Sequence, residues 1–307
     1  MERIHESKMN QNEWHNRLAL GRPFLVSGLV EKFPAVSKWT EPYLAGVQVD
    51  GDVTLTTRKR VDDEERVPWS KAVSAVFRPR KDAAEGSLYL QQTHTPSGLA
   101  DDILIPHFFP SNTEWAEGLI NVWISQAGPD GSTTVPHYDP LDNLLCVLTG
   151  SKHIRLYAPR DLPDIFAAKK FDPRSRAAFV PTAADEKARK QVYANLPYVS
   201  ETFDPSSMKP FWEGTVSAGE ALCIPAYWVH CVTSAPGLCI AVNYWVRTAL
   251  GFSGDVERSE DAVLASISKY LFSAPTPQTL SMRYTKIEME LAKARQQHKQ
   301  LDPLFHK

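Results

Sequence analysis

The 307-residue chain is 43% hydrophobic and 23% charged, with a formal net charge of −2 at pH 7. That is apolar content enough for a large core, and too little net charge for a protein that holds nucleic acid by overall electrostatics. The four cysteines, Cys146, Cys223, Cys231 and Cys239, lie in apolar strand-like runs with no CxxC pair, so they read as reduced core residues rather than a zinc site or disulfide framework. No apolar leader opens the chain, and no apolar run nears the roughly 20 residues that span a bilayer. The expectation is an intracellular protein, cytoplasmic or nuclear, with no membrane partner.

In chain order, Trp14, Leu18 and Leu20 among polar neighbours predict a short helix over 11–20, and Pro23 to Gly28 reads as a strand ending in a turn. Thr40 is placed to cap a second helix with Glu41 and Pro42 in its first turn. Alternation from Val47 to Thr57 predicts a strand interrupted at Asp50-Gly51. Residues 1–86 therefore look like an N-terminal α/β flank packed on a larger core. The basic clusters Arg58-Lys59-Arg60 and Arg78-Pro79-Arg80-Lys81 read first as solvated surface and alternatively as a phosphate-contacting patch.

From Ser87 the pattern turns to short strands: 88–91, 118–125, 143–147, 153–157, 221–224 and 239–246, punctuated by Gly128-Pro-Asp-Gly131 and Thr149-Gly150. Many short strands at this spacing predict a mainly β fold with flanking α elements, a barrel or double-sheet jelly roll. Residues 160–216, with Lys169, Lys170, Arg174, Arg176 and Lys187 to Lys190, read as an insertion carrying a helix and rimming the barrel mouth. After Arg247 helical patterns return: Ser259 is placed to cap one helix, and Thr276 another that carries Tyr284, Ile287, Leu291 and Ala294 on one face. That stripe must dock on the barrel or pair with a second subunit. The domain reading is a flank over 1–86, a core over 87–250 and C-terminal helices over 251–307.

His137 and Asp139 are two positions apart, so an extended strand sends both side chains to one face. A second imidazole from a distant strand, with His230 as the natural candidate, would complete a facial two-His, one-carboxylate metal site. Lys152, across the Thr149-Gly150 turn, is expected to return on the adjacent antiparallel strand and point inward, where a buried ammonium needs an anionic ligand. Thr134, Asn143, Tyr89 and Asn243 supply hydroxyls and amides nearby, a set suited to a small dicarboxylate gripped by Lys152 and chelated at the metal. Zinc hydrolysis uses similar ligands but finds no evident general base here. Trp123, Trp228, Tyr244 and Trp245 read as barrel packing, and Tyr138 as pointing away from the ligands on either side of it.

His137-Tyr-Asp139, Asn143, Gly150-Ser-Lys152, Gly219 to Pro225, Trp228-Val-His230 and Val242-Asn-Tyr-Trp245 together resemble the JmjC family of iron and 2-oxoglutarate dependent oxygenases, over residues 87–247. The resemblance implies a double-stranded β-helix core, Fe(II) on the catalytic residues His137, Asp139 and His230, and 2-oxoglutarate as co-substrate with O2. Tyr89, Thr134, Asn143, Lys152, Asn243 and, more weakly, Ser234 would hold the co-substrate. Tyr138 to Leu145, Ser37 to Leu44 and the closing helices are similar to the tRNA wybutosine hydroxylases, which implies a tRNA substrate and a homodimer through the C-terminal helices. Leu88 to Thr93 instead resembles the asparaginyl hydroxylases acting on hypoxia-inducible factor, which implies a protein or peptide substrate. A third reading keeps the fold as a non-enzymatic cupin-like scaffold.

Overall fold

The computed structural model describes residues 1–58, 63–79, 86–109, 120–134, 137, 139, 142–158, 209–226 and 228–246. Two sheets dominate. The larger is built from β1 (Glu2–His5), β2 (Phe24–Ser27), β3 (Asp52–Arg58), β4 (Asp63–Pro68), β5 (Ser87–His94), β6 (Ile120–Ala127), β8 (Asp142–Thr149), β11 (Ala221–Ile224) and β13 (Gly237–Val246). Its order is β1-β2-β11-β8-β13-β6-β5-β3-β4. The smaller sheet comprises β7 (Ser132–Thr133), β9 (Ser151–Tyr157), β10 (Trp212–Ser217) and β12 (Val229–Ser234), in the order β10-β9-β12-β7.

Strict alternation divides the apolar residues between two cores. On β8, Leu144, Cys146 and Leu148 face one core, while Leu145 and Val147 face the other. The outer core lies under α1 (Gln11–Leu20), α2 (Ala35–Lys38), α3 (Glu41–Ala45) and α4 (Trp69–Val76), and contains Trp14, Phe33, Leu44, Val73 and Tyr244. The inner core lies between the sheets, where Leu145, Val147 and Ala241 meet Ile154, Leu156 and Val216. Each Leu, Ile or Val there contributes roughly 1.5–3 kcal/mol on burial, and in such surroundings a polar group without a partner is costly to desolvate.

The jelly-roll architecture matches the expectation, and four local readings change. The Thr149-Gly150 turn is not a hairpin: β8 pairs with β11 and β13, whereas β9 pairs with β10 and β12. The chain crosses between sheets there, through Gly150 at φ +75°, where an added Cβ would lie 2.6 Å from the carbonyl oxygen of Leu238. Lys152 thus faces the larger sheet across the barrel instead of lying beside β8. Thr40 occupies the N-cap position of α3, but its side chain makes no capping bond. The N-terminal segment contributes strands rather than only packing on the core, since β3 pairs with β5 and β2 with β11. Tyr244 packs in the outer core, not the barrel interior.

The four cysteines are free and buried, as expected. Burial pushes the Cys231 thiol up to about 12 and the thiols of Cys146 and Cys223 upward as well, so these groups stay protonated and inert. Among the described residues, no helix is long and apolar enough to cross a membrane. The insertion helix, most of the basic clusters and the C-terminal helices with their expected dimer contact lie outside the described residues.

Candidate metal and co-substrate site

The barrel brings the three expected ligands together. His137 and His230 form an isolated antiparallel bridge, with His137 N donating to His230 O at 3.0 Å and His230 N to His137 O at 2.7 Å. Their rings lie 4.2 Å apart. One ligand atom from each of His137, Asp139 and His230 lies within 4.8 Å of the others. Nε2 of His230 is 3.7 Å from Oδ2 of Asp139, too long for a direct hydrogen bond and short enough for both to reach one ion. Nδ1 of His230 lies 2.9 Å from the carbonyl oxygen of Trp228, which can only accept. Nδ1 therefore donates to that carbonyl, and the neutral imidazole held this way presents its Nε2 lone pair toward Asp139.

Asp139 has its own support, running across the larger sheet. Trp123 Nε1 donates to Asn243 Oδ1 at 2.6 Å, and Asn243 Nδ2 donates to Asn143 Oδ1 at 3.2 Å. The amide of Asn143 is thereby turned so that its Nδ2 reaches Oδ2 of Asp139 at 3.4 Å. Asn143 and Asn243, expected at the co-substrate, thus stand in a chain of donors that ends on the carboxylate. Both are buried. The sequence reading missed Trp123 as the origin of that chain, because a strand tryptophan looks like packing whether or not its N–H has a partner.

Lys152 is buried on the inner face of β9, on the same side as Ile154 and Leu156. Its Nζ donates to Ser234 Oγ at 3.0 Å and lies 5.8 Å from the centre of the Tyr89 ring. Ser234 is its cross-strand neighbour on β12, so the weaker candidate of the sequence stands in direct contact with the ammonium. Tyr89 is buried and packs against Trp123, with the ring centres 6.0 Å apart and the planes tilted by 54°. Thr134 is tied into the barrel wall: its N donates to Val232 O at 2.8 Å, and its hydroxyl accepts from Val232 N at 2.9 Å. That leaves the Thr134 hydroxyl proton to serve a ligand. Trp228 is buried with its Nε1 donating to Gly21 O, and Tyr138 lies outside the described residues.

Whether these residues suit an iron ion with a 2-oxo dicarboxylate can be tested on the polar atoms of the interior. Ser125 Oγ, Ser132 Oγ and Trp245 Nε1 are buried without a hydrogen-bond partner among the described residues. All three occupy inward positions: Ser125 follows Trp123 on β6 at a spacing of two, Ser132 pairs with Ser234, and Trp245 pairs with Asn143. A buried ammonium and three unmatched polar groups in one apolar barrel suit a polar, anionic occupant. The donor set of two imidazoles and one carboxylate suits a divalent transition metal with positions left for further ligands.

The profile of the cupin-like domain family matches residues 10–250. Among curated proteins, the chain is 28% identical over 257 residues to the human bifunctional peptidase and (3S)-lysyl hydroxylase JMJD7, covering 73% of this chain and 77% of that protein. It is 29% identical over 276 residues to the lysine-specific demethylase JMJ32 of Arabidopsis thaliana, covering 75% and 76% of the two chains. It is also 28% identical over 241 residues to the Jumonji C domain-containing protein 5 of Drosophila melanogaster, covering 73% of this chain and 54% of that one.

Proposed function

The chain belongs to the cupin-like domain family, and from that premise we propose that it is an Fe(II)- and 2-oxoglutarate-dependent hydroxylase acting on a protein side chain. Its similarity to relatives named as a bifunctional peptidase and (3S)-lysyl hydroxylase and as a lysine-specific demethylase supports an enzyme of the oxygenase class. The observation that carries the reading is the convergence of His137, Asp139 and His230 at one end of a barrel that buries Lys152 within it. His137, Asp139 and His230 would hold the metal, and Lys152, Ser234, Tyr89 and Thr134 the co-substrate. When bound, iron and a 2-oxo acid supply the oxidising power to place one atom of dioxygen into a C–H bond, with loss of carbon dioxide from the acid.

The protein's own residues do the placing. The bond from His230 Nδ1 to Trp228 O holds the imidazole in its metal-binding tautomer, and the Trp123, Asn243 and Asn143 chain holds the carboxylate of Asp139. Trp123, Val232, Leu145 and Leu156 line an apolar interior that keeps water from the reacting centre. A protein substrate is favoured because the relatives' names specify lysyl hydroxylation and lysine demethylation. The tRNA reading depends on short sequence resemblances and on basic clusters that fall mostly outside the described residues.

Oxygen-dependent turnover of 2-oxoglutarate, followed in parallel with peptide pools and with total tRNA, separates the two. Stimulation by peptides, accompanied by a mass gain of one oxygen on a side chain, supports the proposal. Stimulation by tRNA alone refutes its substrate class.

A further inference from the structure

We propose that Ser125 and Ser132 complete the anion-binding end of the barrel, donating their hydroxyls to the far carboxylate of the co-substrate beside Lys152. This rests on the reading of Lys152 as the anchor of a 2-oxo dicarboxylate.

Three observations place the two hydroxyls there. Ser132, Ser234 and Lys152 form one cross-strand row on the inner face of the smaller sheet, since Ser234 pairs with Ser132 on one side and with Lys152 on the other. Directly opposed residues in such a row hold their Cβ atoms about 4.5–5.5 Å apart. Ser125 belongs to the facing row of the larger sheet, where it pairs with Tyr89 and with Cys239. The Lys152 ammonium reaches across the barrel to the Tyr89 ring, 5.8 Å from its centre, and so bridges the two rows. Ser125 Oγ and Ser132 Oγ are both buried, and both lack a hydrogen-bond partner among the described residues.

A hydroxyl in that condition is costly to the empty protein, because desolvation is not offset by a bond. Two of them, one in the cross-strand row of Lys152 and one in the facing row beside Tyr89, make sense as donors to an acceptor with several lone pairs. A carboxylate has that capacity, accepting from Lys152 and from both hydroxyls at once. A monocarboxylic 2-oxo acid, which would reach the metal but not this end, has nothing to offer them.

The proposal separates ligand binding from stability in an unusual direction. Ser125→Ala and Ser132→Ala each remove an unmatched polar atom, so the ligand-free protein should unfold at the same temperature as wild type or higher. Titrating 2-oxoglutarate into the Mn(II)-loaded proteins by calorimetry should give about ten-fold or greater weakening in each variant. Weak binding of 2-oxobutyrate, which lacks the far carboxylate, should be unchanged, and so should Mn(II) affinity. If Lys152→Met abolishes 2-oxoglutarate binding while both serine variants bind it as wild type does, the assignment of the serines is overturned and the reading of Lys152 stands. If Lys152→Met also binds it as wild type does, the reading itself fails and the assignment with it. A drop in ligand-free stability in the serine variants would mark them as structural and overturn the proposal equally.

Discussion

Nδ1 of His230 lies 2.9 Å from the carbonyl oxygen of Trp228, two residues earlier in the chain. A carbonyl only accepts, so this contact fixes a neutral imidazole as the Nδ1–H tautomer and leaves the lone pair of Nε2 directed toward Asp139. The ligand is therefore oriented by its own strand, before any metal arrives.

Because this orientation is local, replacing a ligand should remove metal affinity without unfolding the barrel. His137→Ala, His230→Gln and Asp139→Ala are each expected to weaken Mn(II) binding by about 100-fold or more. Calorimetric titration checks the affinity, and circular dichroism checks that the fold persists.

Asn243→Asp preserves volume while reversing a donor. One carboxylate oxygen can still accept from Trp123, but the other meets the Asn143 carbonyl where an N–H stood. The Asn143 amide should flip and turn its oxygen toward Asp139, replacing attraction with repulsion at the metal ligand. Metal affinity is expected to fall about 10- to 100-fold. Trp123→Phe should give a smaller loss in the same direction, and an unchanged affinity in both variants would show that the chain does not support Asp139.

Outside the candidate site, Asp102 ties α2 and α3 to the 3-10 helix Ser97–Asp102 that carries it, accepting from Lys38 at 2.8 Å, Trp39 Nε1 at 3.0 Å and the Tyr43 hydroxyl at 2.6 Å. Burial works to raise its carboxyl, and the bonds from Lys38, Tyr43 and Trp39 outweigh it, leaving the group below its ordinary value. A carboxyl depressed in the folded state contributes stability that is fully present above the unfolded value of about 3.9 and is lost as pH falls through the folded one. Asp102→Asn should therefore cost on the order of 1–3 kcal/mol at neutral pH and flatten the loss of stability below about pH 4. The buried bonds to Trp39 and Tyr43 dominate that figure, since the Lys38 side chain is 51% exposed and its ion pair is screened. Urea unfolding at several pH values reads both effects.

Gly150→Ala tests the crossover between sheets. It would impose a side chain at φ +75° and press a Cβ to 2.6 Å from Leu238 O. The expected destabilisation is about 2–4 kcal/mol, the sum of backbone strain and the shift needed to relieve the clash. A melting temperature within a degree of wild type would mean the corner relaxes freely.

The candidate metal triad was legible because its chemistry is written in short spacings: His137 and Asp139 share a face at a separation of two, and His230 lies in a distinct apolar strand. Lys152 was legible as an inward charge, but its position was not. A Thr-Gly turn signals reversal equally well for a hairpin and for a crossing between sheets, and only the pairing of β9 with β12 decides between them. The strand Asp63–Pro68 was hidden by its own charges, which suit an edge strand facing solvent and look in sequence like a solvated loop. Ser125 and Ser132 carry no local signal at all. Their meaning comes from neighbours on other strands, which no spacing within one strand records.

In the proposed site His137, Asp139 and His230 hold iron while Lys152 holds the far end of a 2-oxo dicarboxylate on the same ion. Anaerobic addition of Fe(II) and then 2-oxoglutarate, followed by visible absorption, tests it most directly, because a charge-transfer band requires both to share one centre. A band is expected in wild type, absent in Asp139→Ala and requiring a much higher 2-oxoglutarate concentration in Lys152→Met. No band in wild type, or one that persists unchanged in Asp139→Ala, would contradict it.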